Sequence, residues 1–307
     1  MFSAVKARKS YDYEELLKSI KFIESRYPFC KIYSIGESVA KKSLYCIKVG
    51  RGENKVFYNG AHHGAEWITS ALLMRFVEEY CEAYVRGKPL FCVPSKYLFE
   101  NVSLFVVPMV NPDGVDISIN GARIYTADFP RLFKQNGNSS DFSTWQSNFN
   151  GVDLNHNYDA LWEFSRQGEI EHSIFGPGPT RWAGEKPFSE PETKAIKGLT
   201  EKENFKLAMA FHSQGQVIYY DFSGSEPNYS LCLVKAISAG TPYIPDIPEG
   251  IASYGGYKDW FINTYKRVCL TVEVGNGENP LPISDLKQIY KETLPILAGG
   301  MKAACVI

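Results

Sequence analysis

The pattern of apolar and polar positions predicts strands and helices that alternate along the chain. Residues 55–58 form a short apolar run typical of a strand, and apolar side chains then recur at helical intervals between Glu66 and Tyr80. Residues 102–107 are apolar at nearly every position, which is typical of a strand covered on both faces of a sheet. The same patterns predict strands at residues 31–35, 43–49, 205–211 and 268–274, and helices at residues 11–27, 228–239, 257–265 and 284–304.

This alternation predicts an α/β fold, namely a single-domain α/β/α sandwich with a mixed, mostly parallel central sheet. The chain has 307 residues, which is enough for one large core, and neither a repeat nor a linker divides it. We therefore expect residues 1–307 to form one catalytic domain that includes the first helix and strands of residues 1–50. In such folds ligands bind beyond the carboxyl ends of the strands.

Regular patterning fades between residues 112 and 200, where glycine, proline and asparagine clusters predict turns. We expect this irregular segment to line a substrate cleft, because long irregular segments inside a compact domain usually have a function. The alternative is a surface excursion without a role. Beyond Phe188 a helix is predicted to restart, with Ser189 as its cap and Pro191 in its first turn.

A histidine and a glutamate at metal-ligand spacing follow the strand predicted at residues 55–58. His63 precedes Glu66 by three positions, so both side chains can converge on one ion. Zinc accepts imidazole nitrogen and carboxylate oxygen, and a hydrolytic zinc site needs three protein ligands. Of the five histidines, His212 is the best third candidate because it ends an apolar, strand-like run. His62 is interpreted as a structural neighbour of the site, and His172 as a surface residue.

Glu273 is the candidate catalytic carboxylate, since it stands near the end of the apolar run 268–274. Burying a charged side chain in an apolar strand is costly, so a glutamate at this position indicates a function. Taken singly, each candidate also has an ordinary explanation. His63 could be a turn histidine bonded to backbone, His212 could merely end a strand, and Glu273 could be a strand-end carboxylate.

Several sequence blocks occur in one order along nearly the whole chain. They are His63-x-x-Glu66, PMVNPDG at residues 108–114, GVDLN at residues 151–155, His212-Ser213, and TVE at residues 271–273. This ordered set resembles the zinc carboxypeptidase family. The resemblance implies that family's fold and a zinc metallopeptidase activity. It also implies one Zn²⁺ per chain, bound by His63, Glu66 and His212, with Glu273 as the general base.

Two further blocks, residues 256–261 (GYKDWF) and 275–282 (GNGENPLP), look most like one branch of that family. This branch cleaves γ-D-glutamyl-diaminopimelate bonds in bacterial cell-wall peptides. The resemblance therefore implies hydrolysis of this bond by water that Glu273 activates, with a peptide or muropeptide as the partner. Other functions stay open at this point: an ordinary metallocarboxypeptidase that releases C-terminal amino acids, a zinc deacylase of small acyl-amino acids, or an inactive module that binds cell-wall peptides.

The oxyanion position departs from the family pattern. Where the digestive relatives have an arginine that helps to hold the oxyanion, this chain aligns Gln146, which carries no positive charge. Arg123, Arg131 and Lys134 are alternative cations, and the sequence does not place them.

The substrate-binding positions depart as well. The Asn-Arg pair that clamps a terminal carboxylate in family members is replaced by Asn155-His156. Tyr254 and Tyr257 are candidates for the tyrosine that covers the bound substrate. Lys258 aligns with the side-chain pocket and is expected to accept a carboxylate at the far end of a side chain, as in diaminopimelate. These departures favour a substrate with a different anchor from a plain C-terminal carboxylate.

Charge and cysteine content exclude some partners and favour one compartment. The formal net charge of −1 leaves no basic surplus for nucleic acid or anionic lipid, and no apolar stretch is long enough for a membrane helix. The seven cysteines are an odd number and widely spread, which favours reduced thiols. No apolar run follows the charged residues 1–10, so no secretory signal is predicted. We expect a cytoplasmic protein; its oligomeric state is left open.

Overall fold

The computed structural model describes residues 4–5 and 9–307, apart from the side chains of Ile251 and Ala252. The segment on which the prediction about a secretory signal depends therefore lies partly outside the described residues. None of the helices in the described part of the chain combines the length and the apolar character that crossing a bilayer requires.

One large sheet organises the described residues. Its strands are β1 (Lys31–Glu37), β2 (Ser43–Val49), β3 (Asn54–Gly60), β6 (Val102–Val107), β7 (Leu207–His212), β8 (Val217–Tyr219), β9 (Ile244–Asp246) and β10 (Cys269–Glu273). The strands β4 (Pro89–Leu90) and β5 (Val93–Pro94) form a separate small hairpin. The eight-stranded sheet has the order β1-β2-β6-β3-β7-β10-β8-β9. Its four central strands β6, β3, β7 and β10 run parallel, while β2 pairs antiparallel with β6 and β8 antiparallel with β10. The predicted mixed, mostly parallel sheet is confirmed.

Helices cover both faces of this sheet. They are α1 (Tyr13–Arg26), α2 (Ile68–Arg86), α3 (Ser95–Asn101), α4 (Pro112–Asn120), α5 (Phe129–Gln135), α6 (Trp162–Glu171), α7 (Pro191–Glu203), α8 (Ser230–Ile237), α9 (Tyr257–Tyr265) and α10 (Leu286–Ala303). Successive side chains of a strand point to opposite faces. Accordingly Tyr58 and Met209 belong to a core shared with α1, α2 and α10, while Phe57 and Ala208 belong to a core shared with α7 and α9. The predicted α/β/α sandwich is thus confirmed.

The segment 112–200 is more regular than its sequence predicts. It contains α4, α5 and α6, which are short and carry few apolar residues, so their periodicity is weak. The predicted serine cap of α7 is also wrong. Glu190 occupies the cap position before Pro191, and the Ser189 hydroxyl donates a hydrogen bond to the Glu190 carboxylate (2.7 Å).

The cysteines are free throughout the described residues. Cys46, Cys81 and Cys269 are buried as apolar runs predict, but Cys92 and Cys232 are exposed.

Candidate active site

The carboxyl ends of three adjacent parallel strands bring the predicted site residues together. His63 and Glu66 follow β3, His212 ends β7, and Glu273 ends β10. The register of β7 and β10 places His212 directly beside Glu273. A cleft of about 140 Å³ opens over these strand ends, and His63, His212 and Glu273 line it.

Three side chains form a donor set that suits a divalent metal. His63 Nδ1 lies 2.8 Å from Glu66 Oε1, and His212 Nδ1 lies 2.9 Å from Glu66 Oε2. The ligand atoms of all three residues lie within 4.8 Å of one another. Two imidazole nitrogens with one carboxylate are the ligand set of several hydrolytic zinc sites, which keep a further position open. The donor set therefore fits zinc.

Asp153 orients one of these histidines. His63 Nε2 donates to Asp153 Oδ1 (3.0 Å), and Asp153 also accepts the backbone N–H groups of Asn155 (3.1 Å) and Arg181 (2.8 Å). A carboxylate behind a histidine ligand fixes its ring and tautomer, leaving the other nitrogen for the metal. The sequence alone predicts no role for Asp153. Its signal was its place inside the block at residues 151–155.

Close backbone packing forces the ligand loop into shape. The short 3₁₀ turn Gly64–Glu66 follows β3, and a Cβ atom on Gly64 would lie 2.3 Å from the Gly114 carbonyl oxygen. Only glycine fits such an approach. The Asn111 side-chain amide donates to the carbonyl oxygens of His62 (3.0 Å) and Gln146 (3.1 Å). The PMVNPDG block thus supports the ligand loop from behind, without lining the cleft.

The neighbouring charges of His63, Glu66 and Asp153 shift one another's pKa values. Burial alone would lower the pKa of His63, but the carboxylates of Glu66 and Asp153 outweigh it and raise that pKa well above its ordinary value. Burial likewise opposes ionisation of Glu66, yet the two histidines lower its pKa to about 2. His62 is different, because burial and the neighbouring imidazoles His212 and His63 lower its pKa well below the usual range. Its Nε2 lies 2.9 Å from the Tyr158 hydroxyl oxygen.

Glu273 contributes a carboxylate to the cleft beside the two histidines. Its side chain is half-buried in the cleft, and the described residues give its carboxylate no hydrogen bond. Burial and the charge of Glu66 raise its pKa well above the ordinary glutamate value, against the opposing effect of His63. A cation at the ligand set would act in the opposite direction, because it stabilises nearby negative charge.

A model of the zinc carboxypeptidase family matches residues 16–296. The chain belongs to this family. It is 39% identical over 297 residues to gamma-D-glutamyl-L-diamino acid endopeptidase 1 of Lysinibacillus sphaericus, covering 97% of this chain and 74% of the relative. It is also 35% identical over 298 residues to the uncharacterized protein YqgT of Bacillus subtilis, covering 96% and 78%.

Two solved structures share the fold of this chain. Thrombin-activatable fibrinolysis inhibitor aligns with a TM-score of 0.74 at 22% identity, covering 96% of this chain and 74% of that one. The murein-tripeptide amidase MpaA of Escherichia coli O157 aligns with a TM-score of 0.55 at 18% identity, covering 88% and 91%. The family match makes this chain a zinc metallopeptidase, and the solved structures show that it has the carboxypeptidase fold.

The predicted substrate residues of this zinc carboxypeptidase family member divide between cleft and core. Asn155, His156 and Lys258 line the cleft. Tyr257 does not: its side chain is fully buried and its hydroxyl oxygen lies 3.2 Å from that of Thr200, so the prediction that it covers substrate is wrong. Its backbone N–H donates to Asn155 Oδ1 (3.2 Å) instead.

Tyr254 lies in a neighbouring cavity of about 220 Å³ and stacks on Phe164 with ring centroids 5.4 Å apart. Pro248 lines both this cavity and the cleft, so Tyr254 stands beside the site rather than in it. Gln146 is absent from the cleft lining, and its side-chain oxygen accepts a hydrogen bond from the Thr180 hydroxyl.

The cations considered as alternatives for holding the oxyanion also lie outside the cleft lining. Arg123 stacks over Phe129 at 4.6 Å, and Arg131 lies over Phe149 and donates to its carbonyl oxygen (2.9 Å). Neither these arginines nor Lys134 line the cleft.

Lys258 lies in the cleft wall together with a negative partner. It forms an ion pair with Asp259, also a cleft residue, and donates to the Asp221 carbonyl oxygen (2.5 Å). Lys258 is 4% exposed and Asp259 2% exposed. The cleft wall therefore presents a positive and a negative group together.

Proposed function

We propose that this protein hydrolyses the γ-D-glutamyl bond to diaminopimelate in bacterial cell-wall peptides, with one zinc per chain. The observation that carries this proposal is the buried Lys258–Asp259 pair in the cleft wall. The far end of a diaminopimelate side chain carries both an ammonium and a carboxylate. A wall that offers both signs is complementary to it.

The pair retains hydrogen-bonding capacity for such a ligand. A lysine ammonium has three donors, and Lys258 directs two of them to Asp259 and to the Asp221 carbonyl oxygen. Asp259 accepts from Lys258 and from the Gly256 N–H (3.2 Å), which leaves lone pairs on both oxygens. The similarity to a relative named as a γ-D-glutamyl-L-diamino acid endopeptidase supports the same substrate class.

His156 argues against a plain C-terminal carboxylate as the main anchor. Burial lowers the pKa of His156, so its imidazole is neutral at neutral pH, and its Nδ1 lies 3.1 Å from the Ser165 hydroxyl oxygen. A neutral imidazole lacks both the charge and the fork geometry with which arginine binds a carboxylate. This observation favours a peptidase of the diaminopimelate type over an ordinary carboxypeptidase.

In the proposed mechanism His63, Glu66 and His212 hold the metal, and Asp153 keeps the His63 ring in place. Zinc, when bound, supplies Lewis acidity toward the scissile carbonyl and toward water. Glu273 takes the proton from the attacking water and delivers it to the leaving nitrogen. The Lys258–Asp259 pair positions the leaving diamino acid.

Mass spectrometry of products from L-Ala-γ-D-Glu-diaminopimelate tests the proposal. We expect release of diaminopimelate, with kcat/KM well above that of the lysine analogue and of a blocked dipeptide ending in phenylalanine. A blocked phenylalanine dipeptide cleaved as fast as the muropeptide would instead identify an ordinary carboxypeptidase. Acyl-amino acids in the same panel test the deacylase alternative, and binding without hydrolysis by zinc-loaded protein would identify a binding module.

A further inference from the structure

We propose that Arg181 binds the free α-carboxylate of the D-glutamyl residue, on the acyl side of the scissile bond. This inference rests on the proposed function. A γ-linked glutamate uses its side-chain carboxyl in the peptide bond, so its α-carboxyl stays free and ionised at neutral pH. An α-linked peptide has no such charge there. A γ-glutamyl peptidase can therefore select its linkage with a cation beside the acyl group.

Arg181 is joined to the ligand set through one carboxylate. Its backbone N–H donates to Asp153 Oδ2 (2.8 Å), while Asp153 Oδ1 accepts from His63 Nε2 (3.0 Å). The preceding residue is held by the same group, because the Thr180 hydroxyl lies 3.3 Å from Asp153 Oδ2 and also bonds to the Gln146 side chain. The Arg181 backbone is thus fixed one carboxylate away from a metal ligand.

The residues that follow Arg181 are fixed as well. The Trp182 carbonyl oxygen accepts the Asp153 N–H (2.7 Å), and the Ala183 N–H donates to Glu169 (2.6 Å). Arg166 packs over the Trp182 ring at 3.9 Å and forms an ion pair with Glu169. Residues 180–183 are therefore held by hydrogen bonds on both sides of Arg181. The side chain of Arg181 is cationic and exposed.

The guanidinium of Arg181 is available to a ligand. Its side chain is exposed, and the structure records neither a hydrogen bond nor an ion pair for it among the described residues. Arg181 is not among the residues that line the cleft of His63, His212 and Glu273, so its guanidinium would meet a substrate group outside that cleft, on the side of Asp153.

The two cations of this region suit different carboxylates. Lys258 is buried and already balanced by Asp259, which fits a zwitterionic side-chain end. Arg181 is exposed and unbalanced, which fits an isolated carboxylate that brings its own negative charge. Guanidinium binds carboxylate through two parallel hydrogen bonds, so the contact is specific in geometry as well as in charge.

The test compares two peptides that differ only at the group in question. They are L-Ala-γ-D-Glu-diaminopimelate and the same peptide with the glutamyl α-carboxyl converted to an amide. We expect the wild-type zinc enzyme to prefer the free carboxylate by about ten- to a hundredfold in kcat/KM, the range of a charge-assisted hydrogen bond. Arg181→Ala should remove this preference by slowing only the carboxylate peptide, mainly through KM. Arg181→Lys should restore part of it.

Lys186→Ala is the matched control, since Lys186 is an exposed cation five positions further along the same segment. It should leave both rates unchanged. The wild-type preference should also weaken as salt concentration rises, because an exposed charge contact is screened. Equal losses on both peptides in Arg181→Ala, or an unchanged ratio, would overturn the role of Arg181 alone. Wild-type protein that hydrolyses neither peptide would overturn the proposed function and this inference with it.

Discussion

Replacing Lys258 by methionine separates the contribution of the Lys258–Asp259 pair to stability from its contribution to specificity. Both partners are almost fully buried, and the carboxylate keeps only the Gly256 N–H when the ammonium is removed. Removal of one partner of a buried ion pair destabilises a protein by about 3–5 kcal/mol, because the other charge is left uncompensated. Protonation of Asp259 relieves part of this loss, so we expect about 3 kcal/mol at pH 7 for Lys258→Met.

The pH dependence of this loss follows from the carboxyl group. Burial, despite the opposing charge of Lys258, already raises the pKa of Asp259 above its ordinary value, and loss of the lysine raises it further. An acid whose folded-state pKa exceeds its unfolded value binds more protons when folded, so the folded state loses stability as pH rises between the two values. Lys258→Met should therefore be less destabilising at pH 5 than at pH 7.

Urea unfolding at both pH values measures the stability of the wild type, Lys258→Met, Asp259→Asn and the double variant. The double variant should recover part of the loss of Lys258→Met, because no buried charge remains without a partner. On the folded variants, kcat/KM for the diaminopimelate and lysine tripeptides measures specificity. We expect Lys258→Met to reduce the preference for diaminopimelate by roughly ten- to a hundredfold. Full preference in a variant that is destabilised as expected would refute the assignment of this pair to substrate.

Three further predictions concern the ligand set, the base and a buried carboxyl. His63→Ala or His212→Ala should abolish the binding of about one zinc per chain, as measured by metal analysis, whereas His172→Ala, an exposed control, should retain it. Glu273→Gln should keep zinc and fold but lose on the order of 10²–10⁴-fold in kcat, because glutamine cannot accept the proton; near-normal turnover at equal zinc content would exclude Glu273 as the base. Burial raises the pKa of Glu192 to about 8, so stability should fall as pH rises from about 4.5 to 8, and Glu192→Gln should flatten this dependence by a few kcal/mol in urea unfolding.

Sequence patterns located the long elements well, because their signals are repeated over many residues. The predicted bounds of β6 and α9 match the structure, and α10 differs by two residues at its start. Helices α4 and α6 were missed for a physical reason. The first begins at a proline and contains Gly114, and the second carries exposed apolar residues such as Phe164 and Ile170. Neither pattern distinguishes a helix from an irregular segment.

In the site, the positions of the metal-site residues can be predicted from the sequence, whereas the orientation of helix α9 cannot. The carboxyl ends of parallel strands lie at one edge of a sheet, so the sequence predicts His63, Glu66 and His212 at the same edge. The pairing of β3 with β7, which the structure shows, brings them into contact. The orientation of α9 cannot be predicted in this way. Trp260 and Phe261 turn one face of this helix into the core, which buries Tyr257 and leaves its neighbour Lys258 in the cleft wall. One position along a helix rotates a side chain by about 100°, and no local pattern fixes that rotation.

The inferred roles of Arg181 and Lys258 make one joint prediction about how the substrate is recognised. If the two cations bind different carboxylates on opposite sides of the scissile bond, their contributions to transition-state binding are independent. The losses of transition-state binding free energy, RT ln of the wild-type to variant ratio of kcat/KM, in Arg181→Ala and Lys258→Met should then add in the double variant within about 0.5 kcal/mol. Each single variant should also lose discrimination at its own carboxylate only, the amide analogue reporting on Arg181 and the lysine analogue on Lys258. A double variant no slower than the worse single variant would show that both cations bind the same carboxylate, and the two-anchor assignment would have to be abandoned.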